Sequence, residues 1–361
     1  MQPRFRALDG IRGVAALLIV VLHGQPMLNT RLFEHGYLMV DLFFLMSGFV
    51  LSAGYGERLA QPGAGPWFAR MRALRLYPLA ILGLIAGVVV EAFAVLHGTL
   101  APRPQWIVMI VLGALFLPWL GGGLIVPFDG PAWSLQLELW INILYGALAR
   151  RLSNRWLIAI VAVFALALAA ASLACGQFDG GFANNDPTRH SGPFAFLVGW
   201  ARVGFSFPLG VLLHRLWREG RLSQVASRLA GPLIPAALVL IAFVPPVPSP
   251  VFDLVIVFAV FPALLLLAAN HQPSARAARI YGRLGGWSYG LYTLHGPILV
   301  ALHSLIPQPA APAGRLALFA LALGLSVAAA ALAERWIDAP ARRWASGRRI
   351  APTLTTSPAR V

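Results

Sequence analysis

Six ionisable residues stand inside long apolar stretches of this 361-residue chain: His23, Asp41, Glu91, Glu138, Arg202 and His295. Four more, Arg12, Arg75, His214 and Glu334, lie near the ends of such stretches. A charge at membrane depth is costly unless it is paired or hydrated, so each of these residues points toward function. A neutral histidine can take a proton from a hydroxyl as that hydroxyl attacks a carbonyl, while a carboxylate beside it fixes the imidazole tautomer. Arginine forks hold phosphate bidentately. His23, Asp41 and Glu138 are therefore candidate catalytic groups. Arg12, Arg72 and Arg75 are candidate binders of an anionic donor, for which a coenzyme A ester is the obvious type. His295 and Arg202 are candidate substrate contacts, Arg202 being equally suited to an ion pair. Glu91 and His214 read as structural, and Ser47 and Ser134 as packing or capping residues, since neither serine has a G-x-S-x-G elbow around it.

The elements that must position these groups are transmembrane helices. The chain is 58% hydrophobic and only 11% charged, with mean hydropathy +0.73, whereas a soluble domain carries roughly 25% charged residues. The expected fold is an all-α polytopic membrane protein. Ten segments are long enough to cross ~30 Å of hydrocarbon: 11–28, 37–54, 78–97, 131–148, 156–175, 194–213, 231–246, 251–269, 287–305 and 314–336. An eleventh, 106–119, is short and contains Pro118. The net charge of +15 comes entirely from arginines, with no lysine. They cluster between alternate apolar segments, a positive-inside pattern and not a nucleic-acid face. With the arginine-rich connections, including 55–77, placed in the cytoplasm, only one of 78–97 and 106–119 can cross. The shorter is the better candidate for a re-entrant or interfacial segment. Ten crossings with both termini cytoplasmic result, the stretches "FDGGFANNDPTRH" and "PPVPSPVFD" falling outside. The first apolar segment lacks a small-x-small cleavage site and reads as a retained span. Residues 1–345 form one membrane domain, and the basic tail 346–361 is expected to be disordered.

Depth then sorts the ionisable residues into two layers. His23 lies eleven residues beyond Arg12, about 16 Å along a helix. Asp41, Glu138 and His295 reach comparable depths, so a deep His/carboxylate layer is expected to overlie an inner layer of Arg12, Arg70, Arg72, Arg75 and Glu334. Cysteine occurs once, at Cys175, a residue expected to be structural. No residue spacing suits zinc and no Gly-rich loop with lysine is present. No permanently bound cofactor is expected.

Four blocks of the sequence resemble the acyltransferase 3 family of integral-membrane acyltransferases: "RALDGIRGVAALLIVVLHG", "VDLFFLMSGFVLS", "RMRALRLYPL" and "PAWSLQLELW". "WSYGLYTLHGPIL" and "ERWIDAPARRW" are weaker matches. The resemblance runs from about residue 5 to 345. It implies transfer of an acyl group, commonly acetyl, from a cytoplasmic coenzyme A thioester to a carbohydrate or other envelope-bound acceptor. It also implies required roles for Arg12, His23, Arg72 and Arg75. Some members carry a hydrolase-like domain after the membrane part; the expectation here is one-component transfer without such a domain. The expected function is thus a bacterial inner-membrane O-acyltransferase acting on a lipid-linked or nascent glycan. Its His23 would act as general base, with an acyl-histidine route also open. A proton-coupled exporter of a sugar or lipid intermediate, using His23, Asp41 and Glu138 as a relay, is the alternative.

Overall fold

A computed structural model describes residues 5–121, 124–178, 193–222, 230–244 and 250–347. Among the described residues every regular element is helical. In chain order these are α1 (Arg6–His23), α2 (Gln25–Leu28), α3 (Met39–Leu59), α4 (Ala64–Leu96), α5 (Trp106–Ala114), α6 (Trp133–Leu148), α7 (Asn154–Cys175) and α8 (Pro193–Arg218). After them come α9 (Ala230–Phe243), α10 (Pro250–Val255), α11 (Phe261–Ala269), α12 (Ala275–Leu305), α13 (Pro312–Ala333) and α14 (Ala339–Gly347). π-helical turns, Ile256–Val260 and Glu334–Asp338, join α10 to α11 and α13 to α14.

Over their described residues the ten long apolar stretches are essentially helical, and among the described residues six helical spans are long and apolar enough to cross a membrane. The chain is a multi-pass membrane protein. One of those spans, α7, has mean hydropathy 2.7 yet only 17% of its residues buried. In water that face would be an aggregation surface; against lipid tails it is solvated. The segment at 106–119 forms only the nine-residue α5, about 14 Å long and too short to cross. The arginine-rich stretch 55–77, expected as a cytoplasmic loop, is helical apart from a short turn at 60–63. α4 starts at Ala64 and carries Arg70, Arg72 and Arg75 on its first turns before running through Pro78. The stretch 178–190, expected outside, falls almost wholly beyond the described residues, as does much of 245–253 and most of the tail 346–361.

Helix ends follow local chemistry. The Ser153 and Ser274 hydroxyls accept hydrogen bonds from the Trp156 and Ala277 amides at the starts of α7 and α12, and Gly176 closes α7 with φ +69°. Glycines let helices meet backbone to backbone. A Cβ on Gly48 of α3 would lie 2.0 Å from the Phe207 carbonyl oxygen of α8, and one on Gly210 would lie 2.1 Å from the Leu45 carbonyl oxygen. This two-way close approach welds α3 to α8. α1 lies along α12, and α4 packs on α6 and α12. Those pairings bring α1, α3, α4, α6 and α12 around a common interior, walled by Phe44, Leu76 and Leu135.

Candidate active site

His23 is the last residue of α1, and His295 lies in α12 two residues before Pro297. Their rings meet with His23 Nδ1 2.8 Å from His295 Nε2. His295 is fully buried, and its Nδ1 lies 2.8 Å from the Leu291 carbonyl oxygen. A carbonyl only accepts, so His295 Nδ1 carries the hydrogen and its Nε2 the lone pair. His23 Nδ1–H must then donate to His295. The network thereby assigns His23 the tautomer whose Nε2 lone pair is left open. His23 lines a cavity of about 1110 Å³, together with Tyr37, Asp129, Trp133, Arg202 and Tyr292. In its neutral form, His23 in this tautomer turns an Nε2 lone pair outward at the wall of a cavity, as a general base requires.

A second cavity, about 100 Å³, gathers Arg12, Arg72 and Arg75 with one carboxylate, Glu138. Three guanidiniums against one carboxylate leave a net positive chamber. Arg72 is 4% exposed and bonds Glu138 Oε1 at 3.1 Å through Nη2, while its Nε has no hydrogen-bond partner. Ser47 donates to the same Glu138 oxygen at 2.9 Å. Arg12 donates to the Ser288 hydroxyl at 3.2 Å. An orphaned buried guanidinium N–H is expensive unless an anion completes it, so the donor set fits a phosphate or thioester ligand. Because Arg72 and Arg75 are three residues apart on one helix, both reach this chamber.

Tyr292 lines both cavities. Its hydroxyl donates to the Pro131 carbonyl at 2.9 Å and lies 2.6 Å from the Ser134 hydroxyl. It stands one helical turn before His295 on the same face of α12. Tyr292 therefore forms the partition between the arginine chamber and the histidine cavity.

The deep layer is divided in a way that depth alone did not suggest. Asp41 lies against Arg202, with Oδ2 2.6 Å from Nη2 and both oxygens 3.2 Å from Nε. Arg202 also donates to the Tyr37 carbonyl and sits among the rings of Tyr37, Trp133 and Phe178. The pair bolts α3 to α8 beside the Gly48–Gly210 contact. Glu138 faces Arg72 and Ser47, and the hydrogen-bond partner of His23 is His295. The place expected for a carboxylate beside His23 is thus held by a second histidine. Ser47 and Ser134 hydrogen-bond within the site instead of capping helices. Glu91 faces Arg103 at 3.6 Å, and His214 binds the Ser52 hydroxyl at 2.9 Å. Glu334 meets Arg342 at 2.7 Å.

Several cavity groups carried no sequence signal of their own. His35 Nδ1 meets Asp253 Oδ1 at 2.7 Å, and Tyr37 donates to the other oxygen of Asp253. Asp129 stands between Phe128 and Gly130, where an aspartate reads as an ordinary turn residue. Tyr292 was visible only as part of the block around His295.

Comparison with known proteins identifies the family. The family described as an acyltransferase domain, acyltransferase 3, matches residues 5–335. The chain is 27% identical to "Acyltransferase MdmB" of Streptomyces mycarofaciens, over 97% of this chain and 95% of that protein. It is 37% identical to "Protein 2 in picA locus" of Rhizobium radiobacter, over 47% of this chain and 95% of that protein. No solved structure gives a significant match. The family model covers nearly the whole chain, and the chain belongs to the acyltransferase 3 family of membrane-bound O-acyltransferases.

Proposed function

We propose that this protein transfers an acyl group, acetyl in the simplest case, from cytoplasmic acyl-CoA to a hydroxyl of an envelope carbohydrate or lipid-linked glycan. The observation that carries the reading is the pair of chambers meeting at Tyr292, one basic and one holding the open His23 Nε2. Donor phosphates bind Arg12, Arg72 and Arg75, and the thioester end points past Tyr292. His23 Nε2 takes the acceptor proton while the acceptor oxygen attacks the thioester carbonyl. The tetrahedral intermediate collapses with breakage of the C–S bond, and the imidazolium returns its proton to the leaving thiolate. His295 holds the His23 tautomer through the chain His23 Nδ1–H, His295 Nε2, His295 Nδ1–H, Leu291 carbonyl. Glu138 positions Arg72 and does not touch the acceptor, and the Asp41–Arg202 pair fixes the wall of the cavity.

In this reading the helices make ten crossings of a bacterial inner membrane. Both termini and the arginine-rich connections face the cytoplasm, following the arginine bias of the sequence. Residues 1–345 form the catalytic domain. The test is thioester dependence in proteoliposomes: product must form only with acyl-CoA present and without a pH gradient. Glycan crossing the bilayer without thioester, driven by a pH gradient, would identify an exporter instead.

A further inference from the structure

Four aspartates are buried among the described residues: Asp41, Asp129, Asp253 and Asp338. Asp41 has Arg202, Asp253 has His35 and Tyr37, and Asp338 has Arg342 at 2.8 Å. Asp129, 2% exposed, has no hydrogen-bond partner on either oxygen. It precedes the 3-10 turn Gly130–Ala132, the ordinary place for a capping aspartate, yet its side chain makes no capping bond. Burying a carboxyl with nothing to satisfy it costs stability and has no structural return.

The fold makes room for this group. A Cβ on Gly83 of α4 would lie 2.9 Å from Asp129 Oδ2, and a Cβ on Gly296 of α12 would lie 3.0 Å from Oδ1. Gly296 follows His295 directly in the chain, so the slot that holds the carboxyl adjoins the His23–His295 pair. Asp129 lines the same cavity as His23, as do the aromatic residues Trp133 and Tyr37. A carboxyl accepts hydrogen bonds from hydroxyls, and an aromatic face packs on the C–H surface of a sugar ring.

We propose that Asp129 is the acceptor-binding residue: its carboxyl, cradled by Gly83 and Gly296, accepts hydrogen bonds from one hydroxyl of a pyranose and thereby presents a neighbouring hydroxyl to His23 Nε2. This rests on the acyl-transfer reading for the reaction, but the binding site itself does not require turnover.

The experiment uses the full chain in lipid nanodiscs, with lipid-linked glycan extracted from the source cell's envelope as the probe. Dicyclohexylcarbodiimide modification of Asp129 is followed by peptide mass spectrometry with and without the glycan, in the absence of thioester. Asp129 is expected to react, and the glycan to slow the reaction about tenfold or more. In parallel, Asp129→Ala is expected to raise the KM for glycan about tenfold or more while kcat stays within about threefold. The melting temperature of Asp129→Ala should be equal or higher, because an unsatisfied buried group has been removed. Absence of labelling, labelling indifferent to glycan, or an unchanged KM would each overturn the proposal. Protection by glycan in a wild-type protein that transfers nothing would keep the Asp129 site and defeat the acyl-transfer reading. Transfer with an unchanged KM in Asp129→Ala would do the reverse.

Discussion

The His23–His295 contact makes a quantitative demand on catalysis. Replacing His295 with phenylalanine keeps a planar ring in the slot but removes the Nε2 that accepts from His23 Nδ1–H at 2.8 Å. The His23 N–H is then left without a partner in the cavity wall, and its ring is free to adopt the tautomer that points a hydrogen, not a lone pair, at the acceptor. An unsatisfied donor costs about 1–3 kcal/mol. If that cost is felt in the transition state, the rate falls by roughly 5- to 150-fold. Removing the base itself, in His23→Ala, should cost about 100- to 10,000-fold. Since His295 acts only through His23, the double substitution should be no slower than His23→Ala alone. The assay is release of CoA thiol from acyl-CoA in the presence of the glycan acceptor, at matched protein level and with the KM for acyl-CoA followed separately. A wild-type rate in His295→Phe, or multiplied losses in the double variant, would refute the tautomer argument.

Other consequences are equally direct. Arg72→Ala should raise the KM for acyl-CoA about tenfold or more, by removing a charged contact worth about 1.5–3 kcal/mol, with a smaller effect on kcat; steady-state kinetics in nanodiscs decide. Asp41→Ala leaves Arg202 buried and uncompensated, a loss of about 3–5 kcal/mol, whereas Asp41→Leu combined with Arg202→Met should recover most of it; thermal unfolding in detergent reads both. Gly48→Ala drives a methyl into the Phe207 carbonyl and should lower the melting temperature sharply, while Gly324→Ala, which meets nothing within 4 Å, should be neutral or stabilising by up to about 1 kcal/mol.

The helical fold could be read from the sequence because hydrocarbon imposes it: over the described residues the long apolar stretches are helical, and the short segment 106–119 holds only α5. The reading failed where charge argued against helix. Arginines at 70, 72 and 75 read as an aqueous loop, but α4 continues through them because Arg72 meets Glu138 and Arg75 faces the same chamber. The site was legible in its membership more than in its pairing. Axial depth placed His23, Asp41, Glu138 and His295 at one level, but depth does not say which way a side chain points around its helix. Azimuth, set by contacts such as Gly48 on Phe207 and α1 along α12, sent Asp41 to Arg202, Glu138 to Arg72 and His23 to His295. Asp129 escaped notice because its significance is the lack of any partner, a property that exists only once the chain has folded around it.

The role of His23 is tested most directly by the O-acyl content of envelope glycan, measured by mass spectrometry in cells carrying wild-type protein or His23→Ala at equal membrane abundance. Acyl groups present with the wild type and absent with His23→Ala are the result expected from a single general base. Undiminished acylation with His23→Ala would contradict it.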